Sequence, residues 1–597
     1  MPVSPMTGSE GVVRVTLLCN GQPVPDAVEV LAVRVKRMVN AIPWARIELV
    51  DGDMPNQAFP LSDAATFVPG TEVEIKAGYA DQESTLFKGV VIRHGIRIGS
   101  GNDARLVIEC RDKAVKLTVG RKSANFVNEK DSDIISGLIS EAGLSADVGA
   151  TSVQHGELVQ YHCTDWDFLL SRAEANGLLV IAVNGTVSVK APAVSATAVL
   201  SVTYGDSLMD LETEMDARSQ LSSVSAYAWD PKNQASKTGS AAAPEALNPQ
   251  GNLSSGDLAK VIGLTEYRLQ SMAALEAEEL TAWAKARQLK AGLARVRGRM
   301  RFQGSALALP GTLIELAGVG ARYNGDVFVT SVEHLIEDGD WITEAGFGLG
   351  DQWFADRPEV ANPLAAGRLP GVQGLHVGVV LKLDGDPAGE SRIKVSVPVM
   401  GAAQDGVWAR LAQFHASNAF GALFIPEVGD EVVLGFFDAD PAHPVVLGSL
   451  YSSSQHPPPY AFAAGNNTKA VVTRTKLKVE FDEEKKVITI QTPAVNKIVL
   501  SDEGKSILLE DQNGNTVRLD QAGIALDSPK DIKLTAKGGI TLDALNAIQI
   551  TAKADVKASG LNVSCDAQVG FAAKGAATAE LSAAGQTTVK GALVMIN

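Results

Sequence analysis

From about residue 488 to residue 565 the chain repeats one short pattern: an apolar residue, any residue, then a second apolar residue. It runs Ile488-Thr489-Ile490, Ile498-Val499-Leu500, Ile507-Leu508-Leu509, Val517-Arg518-Leu519 and Ile524-Ala525-Leu526, and continues to Val563-Ser564-Cys565. A two-residue alternation predicts strands with one buried face. Between 524 and 556 the spacing tightens to eight residues, which predicts strands stacked at equal rise with a turn after each. The inward positions are Ile524, Leu526, Ile532, Leu534, Ile540, Leu542, Ile548, Ile550 and Val556. Such a segment is a rod, a β-prism or β-helix. Two topologies fit: one chain coiling alone in turns of about 24 residues, or three chains each giving one face per level.

Upstream, the same alternation predicts strands at 12–18, 28–38, 45–50, 72–76 and 106–110, punctuated by Asp51-Gly52 and Pro69-Gly70. Helical patterns follow at 131–139, with an Asp or Ser cap, and at 165–175, stopped by Asn176-Gly177. Asn184-Gly185 marks a hairpin between two short apolar runs. Residues 231–257 read as a loop and about 271–291 as the best helix of the chain. Arg295, Arg297, Arg299 and Arg301 then alternate with other residues, which predicts four guanidinium groups on one strand face. Residues 361–371 read as a linker. Five or so short strands in 372–455 suit a closed barrel of the OB-fold type. His456-Pro457-Pro458-Pro459 opens a stiff connector, 456–487, into the rod at 488–597. The predicted class is mainly β.

Bulk properties narrow the function. A chain of 597 residues exceeds one core, and 45% apolar with 20% charged residues describes a folded protein. A formal net charge of -16 argues against nucleic acid as partner. Cys19, Cys110, Cys163 and Cys565 lack paired spacing and read as buried thiols. The N-terminal residues lack the basic start and apolar core of a signal peptide, so synthesis in the cytoplasm and exit by another route are expected.

Candidate catalytic clusters are weak. Tyr161-His162-Cys163 with Asp165 could pair a thiol and a base, but adjacent strand residues face opposite ways. Asp438, Asp440 and His443 could ligate a metal, yet Asp-Ala-Asp-Pro is ordinary turn chemistry. Glu483-Glu484 beside Lys485-Lys486 reads as a solvated turn. No catalytic residue, metal or cofactor is expected.

The barrel residues carry a family resemblance. Trp408-Ala409-Arg410, the run Ala419-Phe420-Gly421-Ala422-Leu423-Phe424-Ile425-Pro426-Glu427-Val428-Gly429-Asp430-Glu431-Val432, and Pro444 to Tyr451 resemble the barrel of VgrG proteins, the spikes of type VI secretion and related contractile injection machines. Residues 1–360 resemble the family's tail hub through Phe67-Val68-Pro69-Gly70, Phe87-Lys88-Gly89-Val90-Val91 and Trp166-Asp167-Phe168-Leu169. The resemblance implies a hub of two β-barrel subdomains with helices and a homotrimer joined to an inner tube protein and baseplate proteins. It also implies a three-chain needle, toxin cargo, and transient contact with a target membrane. A PAAR-type tip cap is expected on Leu593, Val594, Met595, Ile596 and Asn597. The short N-terminal strands and plain rod end look closer to extracellular phage-tail-like particles. The rival readings are the hub and spike of a contractile phage, and a carbohydrate-acting β-helix lyase or adhesin. The last would need aromatic platforms on the rod, where Phe571 is the one aromatic residue after Phe481.

Overall fold

The computed structural model describes residues 2–101, 103–400 and 405–596. The chain divides into two compact units, Met1–Leu450 and Tyr451–Asn597.

The first unit is built on a thirteen-stranded sheet. Its order runs from Leu208–Met215 through Val296–Gln303, Asp340–Phe347, Gly325–Glu337, Val30–Met38, Trp44–Val50, Ala104–Arg111, Gln82–Ile98, Glu72–Tyr79 and Val13–Cys19 to Gln22–Pro23. Leu313–Ala317 pairs antiparallel with Gly325–Glu337, and Leu200–Thr203 adds in parallel to Leu313–Ala317. Strand alternation explains the layering. In Val30–Met38, Val33 and Val35 are fully buried, whereas Lys36 turns out to Glu333 at 3.0 Å. Two apolar cores form on this sheet, one around Ile47, Phe67, Phe87 and Ile108, the other around Met300, Phe302, Ile314 and Phe347.

A helical subdomain lies at 113–190, with α1 (Asp131–Glu141) and α2 (Asp165–Ala175). The hairpin Leu179–Val183 to Thr186–Lys190 turns on Asn184 and Gly185, both left-handed. The expected cap of α1 is absent: the N-cap is Lys130, without a side-chain cap. Asp131 turns inward instead and accepts from Arg172 Nε at 2.6 Å and Asn176 Nδ2 at 2.9 Å, with His155 Nε2 at 3.0 Å. Burial alone would raise this carboxyl, but the Arg172 guanidinium outweighs it and the net shift is downward.

The region read as a loop holds the strand Ala235–Thr238 and the start of a helix at Ser255, closed by a reciprocal Ser254–Asp257 capping box. The long helix α3 is Ala277–Leu293 rather than 271–291, because Tyr267–Ser271 is drawn into a sheet beside Val224–Asp230.

Residues 376–449 close a five-stranded barrel, His376–Lys382, Ile393–Ser396, Val407–Leu411, Pro444–Ser449 and Glu431–Phe436. Val380, Val395, Ala409, Val432, Leu434 and Val446 fill it. Its first turn is pinned by the Asp386 carboxylate, which accepts from the Ala388, Glu390 and Arg392 amides and from Arg392 Nη2 at 2.6 Å.

The second unit opens as an antiparallel meander of seven strands, Thr468–Val472, Lys478–Asp482, Val487–Gln491, Lys497–Ser501, Ser506–Glu510, Thr516–Asp520 and Gly523–Asp527. From 528 to 596 no strand forms among the described residues.

Candidate functional site

The meander registers align its side chains into two unlike faces. Phe481 stands opposite Ile488, Ile488 opposite Leu500, Leu500 opposite Ile507, Ile507 opposite Leu519, and Leu519 opposite Ile524. A second column runs Val479, Ile490, Ile498, Leu509, Val517 and Leu526. Both columns share one face, which is therefore wholly apolar. The opposite face carries Gln491, Lys497, Glu510, Arg518 and Asp520, with Lys497 and Glu510 paired at 2.8 Å. The apolar face is bare: Ile490 is 45% exposed, Leu500 40% and Ile524 75%. A single-layer sheet with one apolar face uncovered does not stand alone in water.

Beyond the meander the problem moves to the main chain. The extended segment bends at 529–530, 537–538, 545–546, 553–554, 560–561, 568–569, 576–577, 584–585 and 592–593, a step of eight residues broken by a single seven. Each bend is followed, three and five residues on, by one pair of the apolar register: Ile532 and Leu534, Ile540 and Leu542, Ile548 and Ile550, then Val556 and Ala558. The register continues through Val563 and Cys565, Phe571 and Ala573, Ala579 and Leu581, and Thr587 and Val589, to Met595. Among the described residues, no main-chain hydrogen bond joins this segment to itself. Its peptide groups therefore face solvent in the single copy.

The turns explain the change. Reversal in the meander uses left-handed residues: Lys486, Val495, Lys505, Gly514 and Gly523 all have positive φ. After Gly523 no described residue does, glycines included. Tight hairpins need such residues, so the distal chain turns corners without folding back on itself.

All nine predicted core residues from Ile524 to Val556 are exposed in the single chain, as are Leu593 to Ile596; Asn597 lies outside the described residues. The repeat read from Ile488 to Cys565 reaches further in both directions: the apolar face starts at Val479, and the eight-residue step persists through the Ala- and Gly-rich end. Cys565, read as a buried thiol, is exposed in one chain; Cys19 and Cys110 are buried.

The other candidates dissolve into structure. Cys163 packs against the Ile134, Leu138 and Phe168 cluster, and burial pushes its thiol up. Asp165 is held by Lys122 and Gln160. Asp440 accepts from the Ala442 amide and contacts His443 Nδ1 at 3.2 Å. No grouping of three or more acidic, His or Cys side chains suited to a metal occurs among the described residues. Three arginines, not four, share the stripe: Arg295 precedes the strand and donates to the Leu253 carbonyl. Arg297, Arg299 and Arg301 pair with Glu214 at 3.0 Å, Glu212 at 2.9 Å and Glu344 at 2.6 Å, a neutralised solvated face.

Comparison with known families places these parts. The profile of the Alg8 N-terminal domain matches residues 9–338, more than half of the chain. The chain belongs to the Alg8 N-terminal domain family. The closed barrel matches the type VI secretion system/phage-baseplate injector OB domain over 376–451, and 487–538 match the phage baseplate V C-terminal trimerisation domain. The resemblance to VgrG-like spike proteins holds. The type VI secretion system spike protein VgrG1b of Pseudomonas aeruginosa is 24% identical over 407 residues, 62% of this chain and 52% of that one. The chain thus spans about half the length of that relative. The actin cross-linking toxin VgrG1 of Vibrio cholerae is 26% identical over 176 residues, 27% of this chain and 16% of the toxin. Among solved structures, an E. coli type VI secretion component described as similar to bacteriophage T4 gp27 and gp5 aligns at TM-score 0.39. It shows 13% identity and covers 73% of this chain and 99% of its own. No described helix is long and apolar enough to cross a membrane.

Proposed function

We propose that the chain is the central spike of a contractile injection system, assembled as a homotrimer that joins a tube to a needle. The bare apolar face of the meander, followed by a segment with no main-chain partners of its own, carries this reading. Three copies facing inward bury the columns from Val479 to Leu526 against one another. Below Ser528 each strand finds its hydrogen-bonding partners on the other two copies, which extends the ladder to the end of the needle. The trimerisation-domain match over this stretch and the spike names of the relatives support it. The role is mechanical: a dry axis enclosed by a continuous ladder resists bending when the tube is driven forward.

The inner tube protein, baseplate proteins and toxin cargo belong to the same proposal, as do a structural rather than catalytic role and delivery outside the cell. So does the PAAR-type cap. Its seat is placed on the exposed apolar run Leu593 to Ile596 with Asn597, although Met595 also falls at an inward position of the repeat. Light scattering on the purified protein tests the core of the reading. Three times the 62.6 kDa chain mass is expected; a monomer at micromolar concentration would remove its basis.

A further inference from the structure

The closed barrel carries an apolar surface that its own fold does not use. Between Val407–Leu411 and Glu431–Phe436 the chain leaves the barrel as a loop, and there Phe414, Phe420, Leu423, Phe424, Ile425 and Val428 are all exposed. Phe414 is 86% exposed and Leu423 80%. The loop nonetheless has a fixed shape. Gln413 Nε2 donates to the Phe424 carbonyl at 2.8 Å, the Ala422 amide to His415 at 2.9 Å and the Ser417 amide to Phe420 at 3.0 Å. The Phe414 and Phe424 rings stack at 6.5 Å, and His415 meets Phe420 edge-on at 5.7 Å. Gly421, at φ 139°, lets the two arms close: a Cβ there would stand 2.6 Å from the His415 carbonyl oxygen. An ordered loop that spends its aromatic residues on solvent is built to be covered.

We infer that this loop is a contact between copies of the chain, seating the barrel of one copy on the next. The inference rests on the trimer reading above. Two observations select a second copy over an unlike partner. First, each copy carries a formal charge of -16, so copies repel wherever charged surfaces meet. Between Arg410 and Glu427 there is no Asp, Glu, Lys or Arg, so this patch lets two copies approach without facing like charges. An unlike partner steered by charge would be met on acidic surface instead. Second, the six side chains expose on the order of 600 Å² of apolar area, at the top of what monomers leave bare and close to one partner's share of a stable interface.

A photo-crosslinking benzophenone side chain at position 423, in the full chain with Cys565→Ser to exclude adventitious disulfides, tests this. Irradiation of protein whose scattering mass is three chains should give covalent dimers and trimers on a denaturing gel. The double variant Phe414→Ser, Phe424→Ser should lower that yield at least tenfold. A three-chain mass with crosslinks confined to single chains overturns the barrel contact and leaves the trimer standing. A one-chain mass overturns both.

Discussion

The two halves of the second unit meet the same requirement, paired main chains and covered apolar side chains, in different ways. From 468 to 527 each strand hydrogen-bonds to the next in the same chain, so a copy satisfies its own backbone and lacks only cover for one face. Among the described residues from 528 to 596, a single copy satisfies neither. The difference lies less in the strands, whose alternation is similar, than in the corners between them. Left-handed residues at 486, 495, 505, 514 and 523 reverse the chain, and their absence afterwards sends it onward. Turn chemistry decides whether a β-rich repeat folds by itself or only in company.

Ile540→Asp strikes the distal segment hardest. It sets three unpaired carboxylates at one level of the axis, each costing several kcal/mol, so proteolysis should clip the needle below 528 while the meander resists. A needle as resistant as the wild type would mean that Ile540 does not point inward.

Acid should separate the units. His334 is fully buried, with the Trp341 indole N–H donating to its Nδ1 at 3.3 Å. Burial, with the nearby Arg37 cation, pushes its pKa down to about 3. The unfolded chain therefore binds a proton below about 6.5 that the folded hub refuses. Stability is full above that pH and falls progressively toward pH 3, by at most about 5 kcal/mol. Thermal melts between pH 7 and pH 4 should show the hub transition falling first, since residues 457–597 contain no histidine. Replacing His334 with Gln should flatten this dependence.

Leu500→Ala, at the middle of the apolar face, should cost about 2–5 kcal/mol per copy, read from denaturant unfolding of the assembled protein. An effect below about 0.5 kcal/mol, the range of an ordinary surface change, would mean the face stays wet. The smallest contrast is between two glycines. Gly514→Ala, at φ 86°, should cost about 1 kcal/mol. Gly538→Ala, where φ is not left-handed, should cost no backbone strain. Equal losses would contradict the role given to the turns.

Much of this was legible in the sequence because burial leaves a period. The alternations at 488–526 and the eight-residue step at Ile532, Ile540 and Ile548 marked the repeat, and the short apolar runs at 377–380, 392–397 and 431–436 marked strands of the barrel. Past Cys565 the step continues on Phe571, Leu581 and Val589, with alanine and threonine filling the other places of the register, so a count of large apolar residues loses it. The Arg297–Arg301 stripe showed its charge but not its partners, since Glu212, Glu214 and Glu344 are distant in sequence and adjacent only through strand order. Helix α3 starts later than its sequence pattern because the pull of Tyr267–Ser271 into a sheet is a tertiary effect. The Ser254–Asp257 capping box is a local signal, but the loop-like composition around it masks it.

In the trimer proposed above, the distal segment takes its main-chain hydrogen bonds from other copies. Hydrogen exchange on the assembled protein, resolved to residues 528–596, tests it most directly. Protection comparable to that of strands 487–527 is predicted, and it should vanish when dilution or denaturant separates the chains while the meander keeps part of its own. Exchange at free-peptide rates throughout 528–596 in a particle of three chains would contradict the account.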